Sequence, residues 1–481
     1  MAQKAHTVRL VALLLLPFVL AAGGFFVFKY ATPSRVAVLH TEKDGDPEQG
    51  ERELTAAEEE ADRTDPHWRF AELDAQREQV PDAENAAGDV RSAEDKLPRD
   101  WPRQSVLDEL NRLPARAPLS DSLNSAVGEE LHKATFALAL ARRLAEHSRG
   151  RWEVAWTPDY LSTDLTHLAQ IQRAQELLRL DAVHAAQANE PGRALAAARG
   201  ILNAGRSVGD EPTLKSILAR IRSHFDASML LERILGHTQP DEADLATVQS
   251  LLEDEAAQPL ICIAARGERA TLHGLMLAVE GGTLKRSDLE PPGPGDRKPT
   301  LKNQLLSVLN DTRMSNHGAL LEAHAWLLRY LTQFVEIAKL PIEDQAVPMA
   351  KLESGREGAP RGGQKLAPDV RSIIQTAQIS QAMLRTAAVA LALERYRSAN
   401  GRWPKSLEEL VPTYLKAVPL DPYDGKPLRF KRQVEGVVVY ALGPDGEDNG
   451  GAFGTLNSFQ KGTDVGFRLW DVEKRRPEAR P

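Results

Sequence analysis

One cysteine in 481 residues excludes an intrachain disulfide. That residue, Cys262, sits in the apolar stretch "PLICIAA", where it reads as a small buried hydrophobe rather than a reactive thiol. A basic excess is missing too: the net charge of -8 argues against a general nucleic-acid binder, so no nucleic-acid partner is expected. No H-E-x-x-H pair, P-loop or paired-cysteine metal site occurs anywhere in the chain. The histidines, among them His132, His167, His224, His273 and His324, are scattered, and no two stand four residues apart on one helix face. Each reads as a surface or satisfied core histidine.

A long apolar run is present once. Leu10 to Phe28, "LVALLLLPFVLAAGGFFVF", is 19 uncharged residues, close to the roughly 20 that cross a bilayer as a helix. Lys4 and Arg9 precede it, and the chain turns acidic from Glu42 to Glu60, so the N-terminus is expected inside and the body exported. A signal peptide cleaved near Ala21-Ala22-Gly23 is the alternative, but "FFVF" carries the apolar run past that point. An uncleaved single-pass anchor through residues 10–28 is therefore expected. It would place the protein in the bacterial inner (cytoplasmic) membrane with its body on the periplasmic side.

The length admits two or three domains. Residues 31–100, rich in Glu, Asp, Ala, Gln and Arg, lack an apolar period and read as a solvated acidic tether. From about 120 to 290 one helix follows another. Leu161, Leu165, Leu168 and Ile171 step along one helix face, as do Leu214, Leu218, Ile221 and Phe225. "NEPG" (Asn189 to Gly192), "GDEP" (Gly209 to Pro212) and "QPDEADL" (Gln239 to Leu245) mark the breaks and new starts. Such short turns make antiparallel neighbours, hence an α-helical bundle or short solenoid. "EPPGPGDRKP" (Glu290 to Pro299) reads as a loop, and "ESGREGAPRGGQ" (Glu353 to Gln364) as a linker too rich in glycine and charge to pack. A helix is expected from Val370 to Ser398. Strand character appears only in "LRFKR" (Leu428 to Arg432) and "GVVVYAL" (Gly436 to Leu442), an expected β-hairpin.

Three stretches carry candidate chemistry. "GRSVG" (Gly205 to Gly209) matches the nucleophile elbow G-x-S-x-G around Ser207, but that motif needs a preceding strand and "ALAAARGILNA" is helical. A helix C-terminal turn is the expectation there. "ARGERA" (Ala265 to Ala270) puts Arg266 and Arg269 on one helix face, for an ion-pair network with neighbouring helices or an anionic ligand. "YALGPDGEDNGG" (Tyr440 to Gly451) alternates Asp445, Glu447 and Asn449 like the start of an EF-hand, yet the twelfth position, which must be a bidentate glutamate, is Leu456. An EF-hand is excluded. A loop in which Asp464 folds back stays open, beside ordinary turn chemistry.

"ALALERYRSANGRWPKSLEELVPTYLKAVPLDPYDGKPLRF" (Ala390 to Phe430) running into "VVVYALGPDGEDNGG" resembles the C-terminal half of the major pseudopilins of type II secretion. The matching positions are Tyr396, Asn400, Gly401, Trp403, Pro404, Asp421, Pro422, Gly425, Pro427, Phe430, Gly443, Asp445, Gly446 and Asp464. The resemblance implies a terminal loop that binds calcium, with Asp445, Asp448 and Asp464 as side-chain ligands and the Leu442 carbonyl as a contributor. It also departs from the family: no glutamate follows Gly23 or Gly24 as in a pilin leader, and the pseudopilin-like helix is internal, so processing and polymerisation as a pilin are not expected. The middle of the chain resembles uncharacterised bacterial envelope proteins carrying the same module, and that likeness brings no activity with it.

The fold expected is mainly α: a membrane anchor at 1–30, the tether at 31–100, a helical domain at 101–345, a linker at 346–369 and a pseudopilin-like α+β module at 370–481. The function expected is that of a non-enzymatic envelope protein whose helical array binds a protein partner. An accessory subunit of a type II secretion or pilus-like machine is the alternative. A hydrolase of undefined substrate comes last, for want of a nucleophile or metal constellation.

Overall fold

Polar caps and prolines cut the chain into helices at the places the sequence marks. The computed structural model describes residues 45–157, 160–285, 301–310, 316–453 and 462–476. The expected anchor at 10–28 and the expected loop at 290–299 lie outside these. Among the described residues no helix is long and apolar enough to cross a membrane.

Helices α1 (Pro47–Thr64), α2 (Phe70–Ala75), α3 (Ala86–Glu94) and α4 (Gln104–Leu110) lead into α5 (Asp121–Lys133) and α6 (Thr135–Ala141). The longer α7 (His167–Gln187), α8 (Pro191–Arg206), α9 (Leu214–His237), α10 (Glu242–Ala256) and α11 (Leu260–Glu280) follow. Then come α12 (Leu301–Leu309), α13 (His317–Ala338), α14 (Ala346–Ser354), α15 (Arg361–Leu366) and α16 (Val370–Asn400). Pro191 stands in the first turn of α8, where its missing N–H costs nothing. The Thr213, Asp241 and Asp369 side chains accept the orphan N–H groups of Ser216, Asp244 and Ser372 at the starts of α9, α10 and α16. Helix α7 begins six residues after Leu161: Asp164 turns the chain by accepting the Thr166 N–H, so Leu161 and Leu165 precede the helix rather than open it.

The fold is mainly helical, with one small antiparallel sheet near the C-terminus. Strands β1 (Arg429–Gln433) and β2 (Gly436–Ala441) form the expected hairpin. A third strand, β3 (Val465–Trp470), was not expected and pairs antiparallel with β2, giving the order β1-β2-β3. Val437, Val439, Ala441, Phe467 and Leu469 face α16 in the larger core, which also takes in α3 to α10. The N-terminal part of α16 (Val370, Ile373, Ile374, Ala377) belongs instead to a second core with α11 to α15. One helix thus passes through both cores, and the start of α16 is no gap between separate units.

Two expectations about the spacers are corrected. From residue 45 the acidic "tether" is packed helix: Leu54, Ala57 and Ala61 of α1 are buried against Leu321, Ala325 and Leu328 of α13, and Trp68 is fully buried beside them. Small residues at three- and four-residue steps carry this face, so it has no conspicuous apolar period. Helix α3 likewise sits in the larger core through Ala86, Ala87, Val90 and Ala93. The "linker" at 346–369 is α14 and α15, with Met349, Leu352 and Leu366 buried. Its glycines are what let it pack: a Cβ on Gly363 would stand 2.5 Å from the Trp326 ring.

Gly267 on α11 makes a tighter approach, for a Cβ there would lie 2.1 Å from the Pro212 carbonyl oxygen. Backbone faces backbone, so no rotamer change relieves the clash. Gly267→Ala should lose about 3 kcal/mol to overpacking and regain about 1 kcal/mol of helix propensity, lowering the urea midpoint by a net cost of about 2 kcal/mol. A neutral Gly267→Ala would mean that α11 does not rest on the turn before α9.

Candidate functional site

The stretch from Pro419 to Asp464 is organised by a buried carboxylate and one guanidinium. Asp421 is fully buried. Its Oδ1 accepts the Tyr423 N–H at 2.8 Å, and its Oδ2 accepts the Leu442 N–H at 2.7 Å and Arg429 Nη1 at 2.6 Å. Arg429 also donates through Nη2 to Asp424 at 2.8 Å, and its Nε stands 3.4 Å from Asp448 Oδ2. Burial lifts the Asp421 carboxyl above its ordinary range, against the pull of those donors. For Asp424 burial acts in the same direction, but the Arg429 hydrogen bond outweighs it and holds the carboxyl low. Upstream, α16 ends at Gly401, whose φ of 67° makes the left-handed cap, and Asn400 donates back to the Tyr396 carbonyl.

Asp464 does fold back. Its Oδ1 accepts the Asn449 N–H at 3.1 Å, and its Oδ2 accepts the Gly451 N–H at 2.7 Å. In the other direction Asp445 Oδ2 accepts the Gly462 N–H at 2.6 Å, while its Oδ1 takes that of Glu447. Asp448 Oδ1 accepts from the Gly450 N–H and the Tyr440 hydroxyl. Burial and the Asp448 carboxylate push the Tyr440 phenol up to about 12. The three sequence-predicted residues therefore lie in one laced loop. As arranged, they are acceptors for backbone amides and a guanidinium rather than a shared cage, and Leu442 contributes its N–H. Among the described residues no group of three or more His, Cys, Asp or Glu side chains is placed to hold a metal ion. Calcium needs six to eight converging oxygens, more than these three side chains supply.

The other candidates are internal ties. Ser207 caps α8 as a helix C-terminal turn; fully buried, it donates to the Ala204 carbonyl at 2.6 Å and accepts from Trp152 Nε1 at 3.3 Å. His167, whose ring packs against Trp152, pairs with buried Glu211 at 3.2 Å, and Ser216 donates to that same carboxylate. Arg266 and Arg269 both donate to Asp65, at the end of α1, which is the ion-pair arrangement expected of them.

One network was invisible in the sequence. Glu255 of α10, fully buried, accepts two bonds from Arg220 of α9 at 2.7 Å, one from Arg206 of α8 at 3.0 Å, and pairs with His224 Nε2 at 2.8 Å. The far nitrogen of His224 reaches Ser380 of α16 at 2.7 Å. Burial works against the Glu255 charge, but Arg220 and His224 outweigh it and hold the carboxyl far below the usual range. The four helices share one anion.

No family model matches the chain, and neither a curated protein nor a solved structure matches it.

Proposed function

We propose that the protein is a non-enzymatic envelope scaffold. It is anchored by residues 10–28 in the bacterial inner membrane, and its helical array docks a protein partner on the periplasmic side. The observation that carries this reading is how the reactive side chains are used. Ser207, His167, His224, Arg266 and Arg269 all end in internal bonds that tie one part of the chain to another or cap a helix, as befits a rigid frame. Stacked helix pairs offer extended surfaces for a partner. A second reading, an accessory subunit that docks on pseudopilins, is favoured by the hairpin tip, where Val434 is 95% exposed.

Photocrosslinking of the full-length protein in native membranes tests both. A photoreactive residue at Phe136, an 80% exposed aromatic on α6, should trap a protein partner if the array is the docking surface. Crosslinks confined to position 434, and to pseudopilins, would favour the secretion-subunit reading. Crosslinks at neither position, with a substrate turned over in an activity screen and lost in Ser207→Ala, would overturn both and revive the hydrolase.

A further inference from the structure

Between α1, α11 and α13 runs a string of four titratable groups, its two histidines buried and Glu58, at the α1 end, 31% exposed in its side chain. Glu280 Oε1 stands 2.8 Å from His324 Nδ1, and His324 Nε2 stands 3.0 Å from His273 Nδ1. His273 Nε2 lies 3.7 Å from Glu58 Oε1. His324 is fully buried, and the Trp68 ring packs edge-on against His273 at 4.8 Å. The charged groups around it come from every neighbouring element. Glu58 and Asp62 belong to α1, with Asp65 just beyond it; Arg69 precedes α2; Arg266, Arg269 and Glu280 belong to α11, and Glu336 to α13. Arg69 and Arg269 each place a guanidinium 4.9 Å from the Trp68 ring centre.

Counting protons shows what the string can hold. Its two hydrogen bonds need two N–H groups, and two neutral imidazoles supply both, leaving His273 Nε2 bare beside Glu58. One extra proton on that nitrogen faces the Glu58 carboxylate. A further proton sets two N–H donors against each other across the 3.0 Å between the rings. We propose that the string is a proton-operated clasp: mild acid, by charging the second histidine, releases α1 from α11 and α13.

The surroundings of His273 support this independently of the count. Burial, followed by His324, Arg69 and Arg269, depresses its basicity from the ordinary 6.5 to about 3. A base whose folded value is lowered stabilises the folded state above its free value, so this contribution is intact above pH 6.5 and is lost as pH falls from 6.5 toward 3. The Glu255 network loses its contribution in the same direction but only at lower pH, since a lowered carboxyl keeps its contribution until pH drops below its ordinary 4.5. Between those two values the clasp opens while the junction of α8, α9, α10 and α16 stays charged. Release would bare Leu321, Ala325 and Leu328 of α13, which α1 now covers.

Hydrogen exchange of the full-length protein at pH 7.5 and 5.0, corrected for intrinsic rates, tests the clasp. Amides of α1 should exchange on the order of ten-fold faster at pH 5.0, while those of β2 keep their protection. In His273→Gln, and separately in His324→Gln, the acid response of α1 should vanish. Should either variant fail to fold, the imidazole proton signals of the wild type give the same information. They should show the second histidine becoming charged only as α1 loses protection. Equal α1 exchange at both pH values in the wild type, or a wild-type response in a folded variant, would overturn the proposal.

Discussion

Glu255→Gln should be the most damaging single substitution in the chain, costing about 3–5 kcal/mol. The amide matches the carboxylate in size but cannot offset Arg206 and Arg220, which are nearly buried and donate to it along with His224. The loss comes chiefly from stranding those cations, not from the worth of the pairs themselves. Equilibrium urea unfolding of Glu255→Gln, with an unchanged m-value, is the measurement. Adding Arg220→Met should recover part of the loss, because it removes one of the unmatched charges. A double variant no better than the single would count against the shared-anion account.

Asp464→Ala ranks second, at roughly 3 kcal/mol, because two backbone N–H groups, of Asn449 and Gly451, lose a charged acceptor in a nearly buried place. The effect should be local: exchange protection should fall across 445–453 and persist in α7 and α8. Calcium enters as a further arm of the same experiment. An unchanged melt of the wild type between millimolar calcium and chelator would count against calcium at Asp445, Asp448 and Asp464. A calcium-dependent rise that disappears in Asp445→Ala would show by mass action that the loop rearranges to take the ion, as the likeness to pseudopilins implies.

How far the sequence foretold this follows from the range of each signal. Val437 to Tyr440 announce a strand by β-branching and lie beside a turn, so the hairpin was legible. The third strand, "VGFRLW", has a period of two in its burial, but a glycine and an arginine in six residues mask it. Helix α1 was missed because Ala57 and Ala61 are poor hydrophobic markers and good close-packing residues. The return of Asp464 was legible through the spacing of the family-like motif; the intervention of Arg429 was not, since nothing local singles that arginine out. The networks are beyond any local reading. Asp65 meets Arg266 and Arg269 across 201 and 204 residues, His273 meets His324 across 51, and His224 meets Ser380 across 156. Scattered histidines carry no spacing signal until tertiary structure supplies their partners.

The passage of α16 through both cores has a mechanical consequence. An α-helix turns about 100° and climbs about 1.5 Å per residue. A single residue inserted after Ala377, where one core hands over to the other, would therefore rotate everything beyond it by more than a quarter turn. Leu384, Leu391 and Tyr396 would leave their sockets, and the three strands would swing off the end of α9. Helical phase, not a flexible hinge, sets where the C-terminal sheet faces. Lineages of this protein should then rarely vary in length inside α16, and a sheet transplanted onto another helix would keep its bearing only if that phase were kept.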